Sequence, residues 1–419
     1  MKRIKAAAAV VALASCISST QATSLRAADW PQYRGPNGDG KIAESITQKS
    51  DAKLNVQWVT ETPLGFSSFA VADGLAFTII AEGNSEVLLA LNADNGNKAW
   101  SYPMGSNDYG HDGGNAGARD NRGGDGPRST PTASAGSVFV YDSNLVLHCV
   151  DAKTGQPEWK HNVATEFGGE NIKWMNATSP LVDEKLVYVS GGGSGQAFLA
   201  FEKSTGELAW KSGSETITHA TPVLTSIDGT KQMINFVQSG LVSVDAATGQ
   251  ELWRTKFPFS VSTAASPIVD GNLVYCSAGY SVGAGLFEIV DNKKVNEIWF
   301  KPNELMNHWS TPVVYNGHLY GIFEFKKYGR APLNCVNLKT GEIVWSESGF
   351  GPGNCILVGD KLVVLSDAGE VAIVNATTDG YQELARLDAL KGKCWSTPAY
   401  SNGKIYVRST EEGACLTIE

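Results

Sequence analysis

Apolar residues along this chain recur in short runs with period two rather than three to four. Leu186-Val187-Tyr188-Val189, Leu241-Val242-Ser243-Val244 and Leu273-Val274-Tyr275-Cys276 are rich in β-branched and aromatic residues, and Gly turns separate them from similar runs. Such runs predict strands, and helical periodicity is nearly absent. The runs belong to one repeating phrase: Ser or Thr then Pro, an apolar pair, a Gly turn, two alternating strands, then Asp-x-x-Thr-Gly and Trp. Its opening appears at Thr130-Pro131, Ser179-Pro180, Thr221-Pro222, Ser266-Pro267, Thr311-Pro312 and Thr397-Pro398. Its close appears from Thr154-Gly155 to Trp159, Thr205-Gly206 to Trp210, Thr248-Gly249 to Trp253 and Thr340-Gly341 to Trp345. Gly96 to Trp100 and the stretch ending at Trp299 are weaker copies.

The successive spacings Trp210 to Trp253, Trp253 to Trp299 and Trp299 to Trp345 are 43, 46 and 46 residues, a period of propeller blades. Proline lacks a donor, so the strand it opens belongs at an edge, which in a propeller is the innermost strand facing the channel. The Trp at the other end of the phrase then lies on the outer strand, where a ring of up to ~200 Å² can wedge between blades. Units end near Trp100, Trp159, Trp210, Trp253, Trp299, Trp345 and Leu387, and a last unit from Trp395 to Glu419 lacks its outer strand. Leu54 to Glu61, carrying Trp58, is the spare strand that would close the ring and remove open edges. The fold class expected is therefore all-β: an eight-bladed β-propeller of four-stranded antiparallel blades, closed by pairing an N-terminal strand with the C-terminal blade. Seven blades is the alternative, because the seventh unit has Cys355-Ile356 in place of Ser-Pro and no Trp.

The composition agrees. The 419 residues are 42% apolar and 18% charged with 45 glycines, enough to bury a large core of strands and turns. Residues 1–28 read as an export signal, with basic Met1-Lys2-Arg3-Ile4-Lys5 before the apolar run Ala6 to Ala14. Leu13-Ala14-Ser15-Cys16 has the form of a lipobox, whereas Ala22 and Ala27 suit ordinary cleavage, so a lipid anchor is the one membrane attachment to be weighed. Residues 29–53 form an extended segment, and 54–419 form the propeller. Removing the signal takes Lys2, Arg3, Lys5 and Arg26, so the mature chain is more acidic than the net charge of -9 for the whole. Such a surface argues against nucleic acid or anionic lipid as a general partner. Of the seven cysteines, Cys149, Cys335 and Cys415 share one repeat position with Ala90 and Ala200, as small buried residues would. Packed free thiols are expected, with Cys355 and Cys394 the pair to check for a bridge.

Candidate chemistry falls on one face, where the loops between blades and those between second and third strands emerge. The longest, Ser101 to Pro127, contains Tyr109-Gly110-His111-Asp112-Gly113-Gly114 and Arg119-Asp120-Asn121-Arg122-Gly123-Gly124-Asp125. Its His and Asp residues could ligate a metal, but no zinc or EF-hand spacing is present, so a solvated Gly-rich loop is the simpler reading and no metal site is assigned. Residues just before the inner strands should ring the channel mouth: Arg128, Asn176, His219, His308 with Trp309, and Trp395 after Lys393. Lys173 with Trp174, Tyr280 and Arg330 lie on loops of the same face. These ten residues, Arg128, Lys173, Trp174, Asn176, His219, Tyr280, His308, Trp309, Arg330 and Trp395, are the ligand-binding candidates, the alternative being that Trp309 and Trp395 plug the axis. Gly191-Gly192-Gly193-Ser194-Gly195 joins strands and is read as a loop, and His148 and His318 sit within strands as structural histidines. Neither Gly-x-Ser-x-Gly nor His-Glu-x-x-His occurs, and no catalytic residue is nominated.

The repeats, from Leu54 to Glu419, resemble the pyrroloquinoline quinone (PQQ) repeat family of quinoprotein dehydrogenases and BamB-type envelope propellers. The opening Asp29-Trp30-Pro31-Gln32-Tyr33-Arg34-Gly35-Pro36-Asn37-Gly38-Asp39-Gly40 is similar to that of PQQ-like propellers of planctomycete-type bacteria. The resemblance implies one of two functions, since fold alone does not fix function. One is a non-catalytic binding or scaffolding module of the periplasm or cell envelope, monomeric, holding an envelope protein, peptide or glycan. The other is a PQQ-dependent alcohol or sugar dehydrogenase, in which Arg128, Lys173 and Trp309 would meet PQQ with calcium. The dehydrogenases carry adjacent cysteines beside the cofactor, and this chain has no Cys-Cys and no Cys-x-x-Cys-His for haem.

Overall fold

The computed structural model describes residues 29–46, 52–109, 126–261, 263–324 and 326–419. Their strands form eight sheets, each with four antiparallel strands in a meander, and the blade starting at Asn354–Val358 carries a fifth. The eight-blade expectation holds and the seven-blade alternative falls. First strands touch the first strands of the neighbouring blades, so they line the axis. Leu54–Glu61 pairs antiparallel with Glu412–Ile418, with Trp58 opposite Cys415, and supplies the outer strand of the last blade as expected. One short helix, Val163–Phe167, capped by the Asn162 side chain, interrupts the β pattern between two blades. Buried apolar side chains cluster by interface rather than by blade: Phe77, Ile79 and Leu88 of one blade pack with Val138, Val140 and Val150 of the next, and the other clusters follow suit.

Two belts of hydrogen bonds explain the repeat. In the inner belt, a pre-strand hydroxyl accepts the amide of the same position one blade back: Ser68 N–H to Thr130 Oγ1 (3.0 Å), Thr130 to Ser179 Oγ (2.9 Å), Ser179 to Thr221 Oγ1 (3.0 Å), Ser266 to Thr311 Oγ1 (3.1 Å) and Thr397 to Ser68 Oγ (2.8 Å). Ser or Thr supplies the acceptor and Pro removes the donor that would otherwise point into the channel. In the outer belt, each indole N–H donates to a carbonyl in the 3–4 turn of the next blade: Trp58 to Ala93 (3.1 Å), Trp100 to Ala152 (3.1 Å), Trp159 to Lys203 (3.2 Å), Trp210 to Ala246 (3.0 Å), Trp299 to Leu338 (3.1 Å) and Trp345 to Thr377 (2.7 Å). The ring lies on the turn glycine, so a Cβ at Gly96 would stand 2.7 Å from Trp58 and one at Gly249 only 2.4 Å from Trp210. Trp253 faces a blade whose turn, Asp291-Asn292, has no Thr-Gly, and it donates instead to Gln232 Oε1 of its own blade (2.7 Å).

The seventh blade lacks Ser-Pro for a structural reason. Lys41–Ile42 pairs in parallel with its inner strand, and Leu357 and Gly359 donate to the carbonyls of Gly40 and Ile42 at 2.8 and 2.9 Å. The leader thus satisfies an edge that proline would have left without donors. Upstream, Trp30 exchanges two backbone bonds with Val71 and is 1% exposed. Arg34 donates to the carbonyls of Thr311 (2.8 Å) and Pro312 (2.9 Å) at the blade where the hydroxyl belt stops. The leader fills the channel from one end, a role that its sequence did not announce. Cys355 and Cys394 are both free, so the bridge considered for them is not formed; Cys149, Cys276, Cys335 and Cys415 are also buried free thiols. The suspected export signal, Cys16 and residues 110–125 of the long loop lie outside the described residues.

Gly249 and Gly271 both have positive φ, +72° and +63°, but a Cβ at Gly271 meets nothing within 4 Å. Either alanine variant incurs a left-handed backbone cost of ~1–2 kcal/mol. Gly249→Ala is expected to lose a further ~1–3 kcal/mol by overpacking against Trp210, measured as a lower denaturation midpoint than that of Gly271→Ala. Equal midpoints would show that the indole does not lock onto the turn.

Candidate functional site

At the end of the channel opposite the leader's strand, the pre-strand residues converge. Three positions before each Pro, or its equivalent, stand Phe66, Arg128, His219, Trp309 and Trp395. Trp309 and Trp395 stack with centroids 4.1 Å apart and planes 28° from parallel, and Phe66 stacks on Trp395 at 4.9 Å. Tyr328 adds a near-parallel ring at 6.1 Å. His308 meets Trp309 at 5.0 Å and Tyr280 at 5.1 Å, both edge to face. On the far side, Trp174 lies 6.4 Å from His219, and its carbonyl accepts a 3.0 Å bond from Arg128 Nη1.

With Lys173, whose Nζ stands 4.9 Å from the Trp174 ring centre, nine of the ten sequence candidates have a defined place at or below this mouth. Asn176 is buried, and its amide holds the backbone carbonyls of Tyr141, Asp142 and Thr178, which fixes the loop that carries Trp174. Arg330 is exposed on the turn that follows Tyr328. Phe66 was missed because its copy of the repeat has Phe69 where Pro usually stands; the slot it shares with Trp309 and Trp395 was the available signal. Lys326 and Tyr328 carry no repeat signal at all, since they sit in an insertion between second and third strands.

The electrostatics of the mouth are uneven. Burial, and then the neighbouring Arg128 and His308 side chains, push the His219 imidazole down to about 3, so it is neutral at ordinary pH. Burial raises the Asp367 carboxyl above its usual range, although Gly329 N–H donates to it at 3.0 Å. Trp395 Nε1 is buried with no acceptor among the described residues.

A quinone cofactor needs a free aromatic face and, with calcium, a set of oxygen ligands. Trp309, Phe66 and Lys393 Nζ all crowd Trp395, with separations of 4.1, 4.9 and 4.0 Å from its ring. No group of three or more His, Cys, Asp or Glu placed to hold a metal occurs among the described residues. The described residues thus offer no ligand set for calcium beside the rings, and no reaction step is derived through PQQ.

The sequence model described as outer membrane protein assembly factor BamB matches residues 84–347. The chain belongs to that family. BamB of Yersinia pestis is 24% identical over 254 residues, 58% of this chain and 60% of that protein, so the match spans under two thirds of the relative. Among solved structures, quinohemoprotein alcohol dehydrogenase from Comamonas testosteroni superposes with a TM-score of 0.65 at 13% identity, covering 93% of this chain and 80% of that one. BamB from Moraxella catarrhalis gives 0.57 at 15% identity, covering 90% and 98%. At these identities the two structures establish the shared propeller and nothing about its chemistry.

A second buried cluster sits on the same face of this BamB-family chain, between its first two blades. Glu86 accepts hydrogen bonds from the Tyr109 hydroxyl, from Ser143 Oγ (2.5 Å) and from Ser143 N–H (3.1 Å). Asp142 lies beside it and contacts His148 at 3.3 Å. Burial, then repulsion by Asp142, pushes the Glu86 carboxyl up to about 7. A carboxyl whose folded pKa exceeds its unfolded value contributes stability that is fully present below about 4.5 and is lost as pH rises through about 7. Replacing Glu86 by Gln is expected to flatten the fall in melting temperature between those two pH values, read by calorimetry. An unchanged pH slope would mean that Glu86 is ionised throughout.

Proposed function

We propose that this BamB-family propeller is an exported, non-catalytic binding module of the cell envelope that docks other envelope proteins on its loop-bearing face. The observation that carries the reading is the Trp309–Trp395 stack, which occupies the axis with side chains where an enzyme of this fold would need room for a cofactor. Around it the mouth offers rings, cations and a neutral imidazole, which suit recognition, while the acidic net charge of -9 disfavours nucleic acid. The likeness of the leader to planctomycete-type propellers belongs to the same reading, with Trp30 and Arg34 as its packing residues. An anchor at Cys16 would hold the module at a membrane surface.

Immobilised protein is expected to recover a defined envelope protein from solubilised envelope extract, identified by mass spectrometry and absent from beads carrying an unrelated propeller. Recovery of nothing above background would overturn the reading. In parallel, purified protein mixed with PQQ and calcium is expected to show neither cofactor absorbance nor dye reduction with alcohols; either signal would restore the dehydrogenase.

A further inference from the structure

The ring is closed, but each blade still ends in an outer strand with one open edge. Such an edge is a template for another chain, and proteins blunt it with basic side chains or proline. Six outer strands are blunted in this way, by Pro103, Lys160, Lys211, Arg254, Lys301 and Arg386. The other two, Leu54–Glu61 of the last blade and Ile343–Glu347 of the sixth, contain no Lys, Arg or Pro. They expose apolar side chains instead: Val56 (44%) and Val59 (49%) on the first, Ile343 (54%) and Val344 (43%) on the second.

The backbone of Leu54–Glu61 shows which groups are open. Lys53 and Glu419 exchange both amide bonds at 3.0 Å, and residues along an antiparallel pair alternate between bonding their neighbour and facing away from it. Asn55 therefore bonds inward, while Leu54 and Val56 turn their N–H and C=O toward the free edge. The register shifts by one residue at Gln57. Beyond it Thr62 N–H bonds inward to Glu411 (3.0 Å), so Thr60 also faces in, and Val59 and Glu61 face out. The Gln57 amide is tied back to Thr417 Oγ1 at 2.9 Å, which keeps it off the edge. The outward groups, at 54, 56, 59 and 61, are thus spaced symmetrically about the bulge. Two copies related by a two-fold axis at that point pair Leu54 with Glu61 and Val56 with Val59, bulge against bulge, so the extra residue disturbs register on neither side. The same axis sets Lys53 of one copy beside Glu61 of the other, and both are exposed. The edge of the sixth blade lacks this self-complementarity: Glu342 and Glu347 bracket it, so two antiparallel copies would set like charges together.

We propose that the protein forms a two-fold homodimer in which the Leu54–Glu61 edges of two copies pair and join their last blades into one continuous sheet, independently of what the mouth binds. A single strand edge buries less than the ~800 Å² per partner of a standard interface, so the dimer is weak and is sought by sedimentation velocity of the purified protein from ~5 to ~500 µM. The sedimentation coefficient is expected to rise with concentration toward that of a dimer. The Val56→Lys/Val59→Lys variant should stay monomeric throughout with an unchanged melting temperature, whereas Ile343→Lys/Val344→Lys should dimerise like the parent. Lys53→Glu and Glu61→Lys, which each place like charges at both ends of the junction, are expected to weaken the dimer about tenfold, and the double variant to restore it. A parent protein that is monomeric at every concentration would overturn the proposal. So would a dimer that survives Val56→Lys/Val59→Lys or is abolished by Ile343→Lys/Val344→Lys. A monomer whose capture of an envelope protein is lost in Val56→Lys/Val59→Lys would assign the edge to a partner's strand instead of a second copy.

Discussion

Closure of the ring is the constraint on which everything else depends. A propeller has no central core; its apolar burial is divided among interfaces, so a ring left open at one interface loses contacts on both sides of the gap. The chain meets this by spending a strand from before the first blade, Leu54–Glu61, on the outer edge of the last. Arg408 secures the junction from inside. It is fully buried, and its guanidinium donates to the carbonyls of Thr62 (3.0 Å), Leu64 (2.6 Å) and Ile79 (2.7 Å) and to Thr78 Oγ1 (2.7 Å). Burial lowers its pKa to about 9, still a cation at neutral pH, and the strength of such charge-assisted bonds offsets part of the desolvation cost.

The same closure gives the molecule two unlike ends. Each blade contributes one pre-strand slot to the mouth, and the repeat fixes where that slot points. Whatever side chain occupies it is delivered to the axis, which is how Phe66, Arg128, His219, Trp309 and Trp395 come together from residues far apart in sequence. The other end receives the leader, whose Arg34 and Lys41–Ile42 complete the blades at the place where the hydroxyl belt is interrupted. One end is filled by chain, and the other gathers rings and basic side chains.

The mouth carries information that fold similarity does not. Quinohemoprotein alcohol dehydrogenase and BamB share the architecture with this chain at comparably low identity, so the backbone does not discriminate between them. The proposed binding role rests on the side chains at the mouth. Trp395 is packed against Trp309, Phe66 and Lys393, so much of its aromatic surface is committed within the protein.

The repeat made the architecture legible. Proline can sit only where a donor is dispensable, and a turn glycine accepts an indole only because it has no Cβ, so inner edges, outer edges, blade count and closing strand could be read from residue types and spacing. The pre-strand candidates were legible for the same reason, because a repeat carries position along with identity. Tertiary structure alone decided the rest. The missing Ser-Pro of the seventh blade looked like a weak repeat until Lys41–Ile42 was seen to occupy its edge, and Cys355 and Cys394 looked like a pair until their burial at separate sites was seen. Lys326, Tyr328 and the Glu86 cluster come from insertions and interfaces, where contact depends on which blades stand side by side in space. Local sequence states what each strand requires of its neighbours; only the closed ring determines which neighbour supplies it.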